Sequence, residues 1–221
     1  MKRFLALILC LAMLASMFTF TLPVSAADTV YSGDCGTQGD NVKWKLDTST
    51  GKLDIWGSGA MINGTMPWNE YKSSIKAVEV EKGVTSIGNR AFYNCTSLTS
   101  IEIPDSVTSI GYNAFYGCTS LKKVYMTDIE AWMNIKFSDY DSNPCYYGAE
   151  LYLNNELVTS VVVPNNITKI GYCVFYGCTS ITDIKIPQGV TSIGDYAFRN
   201  CTSLTSVDMG DSVTSIGDYA F

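Results

Sequence analysis

The chain has 221 residues, 47% of them hydrophobic and 16% charged, and a net charge of −6 at neutral pH. That acidic balance, without basic clusters, argues against nucleic acid and anionic lipid as partners, since phosphate binding needs grouped Lys and Arg. Histidine is absent, which removes Ser-His-Asp and Cys-His catalysis and most catalytic zinc sites. Carboxylate-only chemistry stays open, and nothing in the pattern singles out such a pair.

In chain order, Lys2 and Arg3 precede the nearly unbroken apolar run Phe4 to Phe20, and Val24-Ser25-Ala26 comes after it. This is the layout of an export signal that spans residues 1–26 and is removed after Ala26. The alternative is an uncleaved anchor, because the run is close to spanning length. Cys10 stands after the bulky Leu9, which does not suit a lipoprotein cleavage site. Loss of Lys2 and Arg3 leaves 15 − 2 = 13 basic residues against 21 acidic ones, a net charge of 13 − 21 = −8. No later stretch is apolar enough to cross a bilayer, so the expected location is secreted or extracellular, with cell-surface attachment open.

Residues 27–66 do not share the pattern of the rest of the chain. Val42, Trp44 and Leu46 alternate with polar residues, Thr48 to Gly51 is turn-forming, and Leu53 and Ile55 alternate again. This predicts a β-hairpin that caps the N-terminal end of the molecule. Pro67-Trp68-Asn69-Glu70-Tyr71 then leads into the strand Ile75 to Val80.

From Val84 a 23-residue unit repeats: VTSIGNRAFYNCTSLTSIEIPDS, then again from Val107, Ile167 and Val190, with a last copy from Val213 to Phe221. A fixed period of this size means a solenoid in which each coil stacks on the next. Residues 67–221 are expected to form it, as parallel β-strands joined by short helical turns. Ile101 and Ile103 point inward on a strand that Pro104 ends. Val107 and Ile110 form a second extended piece, Gly111 turns the chain, and Ala114 to Cys118 suits a brief helical turn. Stacking then makes columns of like residues, notably Phe92, Phe115, Phe175 and Phe198, and Leu98, Leu121, Ile181 and Leu204.

The period breaks once, because Cys118 and Cys178 lie 60 residues apart. This predicts one extended repeat at about residues 127–157. Thr127 to Glu130 fits a capping box ahead of a short helix through Ala131 to Ile135. Leu151 to Leu157 fits a hairpin around Asn154-Asn155, and Val158 to Pro164 restores the strand in register.

The pattern VTSIGxxAFxxCTSLTSxxIP closely resembles the BspA-like leucine-rich repeat family of bacterial surface proteins, over about Ile75 to Phe221. Asp34-Cys35-Gly36, Trp44, and Gly57 to Met61 with Pro67-Trp68 resemble the segment that precedes such repeats. Ala131-Trp132 and Asn143-Pro144 are similar to a variant repeat of the family. The resemblance implies an exported, wall-associated protein that binds host or neighbouring-cell proteins, with no shared catalytic residues.

Several motifs have plainer readings. Cys95, Cys118, Cys178 and Cys201 share one repeat position, and parallel stacking points their Cβ vectors the same way, so buried free thiols are expected. Cys35, Cys145 and Cys173 fall off that column, and a pair among them is left open. No close-spaced cysteine pair suggests zinc. Asp139, Asp141, Asn143 and Glu150 mimic a calcium loop, but Pro144 stands where glycine must turn. The four Asn-x-Thr sequences at Asn63, Asn94, Asn166 and Asn200 read as repeat and loop elements, not glycan sites. No metal or cofactor is expected.

Side chains outward by strand register are Ala77/Glu79, Ser100/Glu102, Lys123/Tyr125, Ser160/Val162, Asp183/Lys185 and Ser206/Asp208. Lys123, Tyr125, Trp132, Val162, Asp183 and Lys185 are the candidate partner-binding residues, with Trp132 alternatively packing the inserted helix. A Tyr93/Tyr116/Tyr176 column is a further exposed candidate, interrupted by Arg199. The expected function is non-catalytic protein binding or adhesion, with extracellular or host proteins of matrix type as partners. The alternative is a spacer that carries further domains. Val213, Ile216 and Phe221 end on an uncapped unit, so the chain is expected either to be a portion of a longer protein or to fray at its last turn.

Overall fold

The computed structural model describes residues 29–221; the expected export signal over residues 1–26 lies outside them. Three antiparallel strands come first: β1 (Val30–Gly36), β2 (Gly39–Asp47) and β3 (Lys52–Gly57). β4 (Gly59–Ala60) starts a second sheet. Each coil then contributes short strands: β5 (Ala77–Val80) and β6 (Val84–Ile87), then β7 (Ser100–Ile103) and β8 (Ser109–Ile110). β9 (Lys123–Met126) leads to the helix α1 (Ile129–Met133), β10 (Lys136–Phe137), β11 (Glu150–Leu153) and β12 (Glu156–Leu157). The remaining strands are β13 (Ser160–Val162), β14 (Lys169–Ile170), β15 (Asp183–Ile186), β16 (Ser192–Ile193), β17 (Ser206–Met209) and β18 (Ser215–Ile216).

The expected hairpin is β2–β3, with Leu46 opposite Leu53 and Trp44 opposite Ile55, and β1 extends it to a three-stranded meander. β1 was hidden in the sequence because Tyr31 to Asp34 are mostly exposed and carry no apolar alternation; it is held by backbone pairing to β2. The cap is not separate from the stack. β3 runs parallel to β5, with Leu53 opposite Val78 and Ile55 opposite Val80, all four buried.

Within a regular coil, Ile101 and Ile103 are buried while Glu102 faces solvent, as the two-residue strand period requires. Neighbouring coils pair in register, Ser100 opposite Lys123 and Ile101 opposite Val124. The segment from Ala114 to Cys118 forms successive tight turns, not a helical turn. Ala114 N donates to Gly111 O (3.2 Å) and Cys118 N to Phe115 O (3.0 Å). Asn113 and Gly117 adopt φ of 53° and 77°, and left-handed residues four apart stop a right-handed helix from propagating.

The aromatic column forms as expected on either side of the break. Ring centroids lie 5.3 Å apart for Phe92–Phe115, 5.5 Å for Phe175–Phe198 and 5.3 Å for Phe198–Phe221. Trp68 extends it at the N-terminal end, 6.1 Å from Phe92.

The single extended repeat is in fact two coils. Phe92 N donates to Ala114 O (2.9 Å), and Phe115 N donates to Asp141 O (3.0 Å). Asp141 therefore stands at the alanine position, Ser142 at the phenylalanine position, and Cys145 at the cysteine position. Cys145 belongs to the cysteine column and touches Cys178, contrary to the sequence expectation. Cys118 to Cys145 spans 27 residues and Cys145 to Cys178 spans 33, so one coil carries four extra residues and the next carries ten. The four are accommodated at the five-residue α1, whose N-cap is Asp128 and not Thr127: its carboxylate accepts from Ala131 N at 2.6 Å. The ten form the β11–β12 hairpin, whose Asn154 and Asn155 both take positive φ, 50° and 68°, as a two-residue hairpin turn demands.

This insertion splits the stack. The first sheet runs β1-β2-β3-β5-β7-β9-β11-β12 and ends on the antiparallel β12, while β13-β15-β17 starts afresh. Val158 to Pro164 thus restores the 23-residue period but not the ladder to the preceding coil. The second face divides likewise, into β10-β8-β6-β4 and β14-β16-β18. Side chains bridge this seam. At other coils the alanine-position carbonyl accepts a backbone N–H, as Ala197 O does from Phe175 N (2.8 Å). At the seam the corresponding Val174 O accepts instead from Trp132 Nε1 (3.0 Å) and Asn143 Nδ2 (3.3 Å), and Asn143 Nδ2 also reaches Cys173 O (2.6 Å).

Candidate protein-binding surfaces

Trp132 does not belong to a binding face. It is 1% exposed, and its one polar atom is committed to Val174 O. The other sequence candidates do lie outward, but on two sheets. Lys123 and Tyr125 sit on β9, before the seam; Val162, Asp183 and Lys185 sit on β13 and β15, after it. Asp183 accepts from Ser160 Oγ and from Thr182 Oγ1 (3.0 Å), and Lys185 lies 4.0 Å from Asp208 across a fully solvated pair.

Lys123 and Tyr125 gain a partner that the 23-residue spacing concealed. Since β11 pairs with β9 at an offset of 27, Tyr152 stands opposite Tyr125. Their ring centroids are 5.1 Å apart, and Lys123 Nζ lies 5.4 Å from the Tyr152 ring. The Tyr152 hydroxyl donates to Glu150 (2.8 Å), so the cluster is fixed by its neighbours.

A larger aromatic cluster runs along the turns, exposed at Tyr140 and Tyr219, half-buried at Tyr146 and Tyr196 and buried at Tyr176. Tyr140 and Tyr146 are 5.4 Å apart, Tyr146 and Tyr176 5.2 Å, Tyr176 and Tyr196 6.4 Å, and Tyr196 and Tyr219 5.4 Å. Arg199 closes it, its guanidinium carbon 5.2 Å from the Tyr196 ring and 4.7 Å from the Tyr219 ring. Tyr140, Tyr146, Tyr176, Tyr196 and Arg199 line a cleft of about 270 Å³. Tyr93 and Tyr116 form a separate stacked pair at 5.2 Å on the earlier coils. The Tyr93/Tyr116/Tyr176 column of the sequence is therefore divided, and Tyr176 is buried at 6% exposure instead of exposed as expected, because the rings of Tyr140, Tyr146 and Tyr196 pack around it; Arg199 joins the later part instead of merely interrupting it.

The calcium-loop candidates of the extended region serve the fold. Asp139 accepts from Asn113 N (3.2 Å), Asn143 bridges the seam, and Glu150 holds Tyr152. Asp141 is 6% exposed and its Oδ1 has no hydrogen-bond partner. Burial, with the Asp139 carboxylate adding to it, pushes the Asp141 carboxyl up to about 6. A raised folded-state value means that the fold favours the protonated form. That contribution is complete below the unfolded value near 4 and is lost as pH rises through about 6. Asp141→Asn is accordingly expected to gain melting temperature over the parent as pH rises from 4 to 7.5. A difference that stays constant with pH would remove Asp141 as its source.

All seven cysteines among the described residues are free and buried. The column thiols make specific contacts: Cys118 Sγ donates to Phe92 O and Cys201 Sγ to Phe175 O, each at 3.1 Å. Burial pushes Cys95 and Cys201 up to about 12, which keeps them as unreactive thiols.

Parallel in-register strands, tight turns and stacked aromatic and cysteine columns define a leucine-rich repeat solenoid. The chain belongs to the BspA type leucine rich repeat family, whose model matches residues 70–142 and 147–221 in six copies. Among solved structures, a leucine-rich repeat protein from Eubacterium ventriosum is 20% identical, covering 84% of this chain and 73% of its own, with a TM-score of 0.37. A leucine rich cell surface protein from Faecalibacterium prausnitzii is 22% identical, covering 82% and 50%, with a TM-score of 0.45. The T. pallidum leucine rich repeat protein is 23% identical, covering 82% and 86%, with a TM-score of 0.42. No curated protein matches the chain. No helix among the described residues is long and apolar enough to cross a membrane.

Proposed function

We propose that the protein is a secreted or surface-attached adhesion module that binds extracellular or host proteins through its exposed side chains, without catalysis. The observation that supports this most is the tyrosine run from Tyr140 to Tyr219 with Arg199 at its end. Tyrosine and arginine are the residue types that carry most interface energy, because a ring gives large contact area at little entropic cost and a polar tip. The solenoid backbone holds these rings in place, so little ordering cost remains at binding.

The test is binding of the purified chain to immobilised extracellular-matrix proteins, compared across two paired variants. Tyr140→Ser with Tyr196→Ser is expected to lose roughly 2 kcal/mol or more, about thirtyfold in affinity. Lys123→Ser with Tyr125→Ser tests the sheet face in the same assay. Binding unaffected by the first pair would move the site to the face that the second pair disrupts. Binding unaffected by both, or absent from the parent, would end the adhesion reading.

A further inference from the structure

The seam leaves two strand edges open on either side of one groove. β12 has a ladder partner only in β11, and β13 only in β15. Val158 N still bonds back to Leu151 O (2.9 Å), whereas Thr159 O already accepts from Thr182 N on the far side (2.7 Å). The chain therefore passes from one sheet to the other between these two residues, and the edges part from that point. They enclose about 560 Å³, lined among others by Leu153, Glu156, Leu157, Val158 and Val162. Val162 is 64% exposed and Leu157 40% exposed.

The backbone along this edge has a defined polarity. Thr159 O and Val163 N both bond to the β15 side, the latter to Lys185 O at 2.9 Å. Backbone groups alternate in direction along a strand, so Ser160 and Val162 aim N–H and C=O away from β15 and into the groove. In regular coils the N–H matching that of Ser160 is used: Ser100 N reaches Lys76 O (3.4 Å), Lys123 N reaches Thr99 O (3.1 Å), and Ser206 N reaches Thr182 O (3.2 Å). At Ser160 the ten extra residues divert the preceding coil into β12, and that acceptor is gone.

We propose that this groove is a strand-docking site, which takes an extended segment of another protein as an added strand beside β13. The site is separate from the tyrosine run and does not depend on it. An extended residue occupies roughly 3.3 Å along a strand, 4.8 Å between strands and 10 Å across a sheet, so the space suits about three or four residues and no folded domain. Main-chain bonds to Ser160 and Val162 supply the general affinity, and alternate side chains supply selectivity. Leu153, Leu157 and Val162 select apolar residues. Glu156 is the only charged residue among those lining the groove, which selects Lys or Arg at the flank. The ligand class is thus an alternating apolar and polar segment with a basic end.

The chain itself provides a probe of that kind, the strand sequence LKKVYM of residues 121–126. A fluorescein-labelled peptide of this sequence is titrated with the purified chain and monitored by anisotropy. Saturable binding is expected, and a peptide N-methylated on alternate backbone nitrogens is expected to bind roughly tenfold more weakly. Val162→Pro removes one outward N–H while sparing the β15 ladder, as edge strands allow. It should weaken the peptide by a similar factor at an unchanged melting temperature, and Glu156→Lys should weaken it too. Tyr140→Ser with Tyr196→Ser should leave peptide binding as it is, which separates this site from the adhesion surface. No anisotropy change up to about 1 mM chain, or equal binding of the N-methylated peptide, would overturn the proposal, and the peptide comparison needs no variant to fold.

Discussion

Replacing Phe115 with alanine is expected to destabilise the protein by about 3–5 kcal/mol. Phe115 is 1% exposed, stacks on Phe92, and holds the coil beyond it through the bond from its N–H to Asp141 O. It is also the last ring before the seam, because the next coil has Ser142 at the phenylalanine position. The void would therefore have a ring on one side and a serine-bearing turn on the other. Ladder-bonded strands flank it, and they resist collapse into the space. Repeat stacks lose stability through nearest-neighbour terms, so the coils around Phe115 should melt first and broaden the transition. Denaturant unfolding against Tyr112→Ala, whose side chain is 51% exposed, is the measurement. A change as small as that control would mean that the phenylalanine column is not what holds the coils together.

Most of the solenoid was legible because its signal is redundant. Each 23-residue unit restates the same inward residues, and parallel stacking puts equal positions in contact. Legibility failed where the hallmark residue is missing. Ser142 silences the phenylalanine signature of the coil through Cys145, and two insertions of different length made two coils look like one long unit. Subtracting 27 from Tyr152 gives Tyr125, and from Cys145 gives Cys118, so the offset was present in the sequence but was not the one the other copies taught. The cap strand β1 had no such trace, since an edge strand held by backbone bonds needs no apolar alternation. Of the candidate surfaces, Lys123 and Tyr125 were evident from strand parity alone. The tyrosine run was not, because Tyr140 and Tyr196 precede the alanine position, Tyr176 follows the phenylalanine position and Tyr146 follows the cysteine position, and only turn geometry across the seam brings these three kinds of position together.

Trp132 provides the second large effect, and its two roles can be separated. Trp132→Ala should cost about 3–5 kcal/mol, since it empties the space of a fully buried indole. Trp132→Phe keeps most of the volume and removes the Nε1–H, which leaves Val174 O to the longer bond from Asn143; a cost of about 1–3 kcal/mol is expected. Asn143→Ala removes the other donor and also strips Cys173 O of its 2.6 Å partner. If the two side chains stand in jointly for the missing backbone rung, the double variant Trp132→Phe with Asn143→Ala must differ from the sum of the singles, by about 0.5 kcal/mol or more. Trp68 offers an internal comparison, because its Nε1 bonds Ala91 O at 2.9 Å at the start of the stack, where no full repeat precedes. Trp68→Phe should therefore lose a similar increment with no coupling to Asn143. Strict additivity of the Trp132 and Asn143 changes would show that the halves are joined by packing alone, and that the two donors act on Val174 independently.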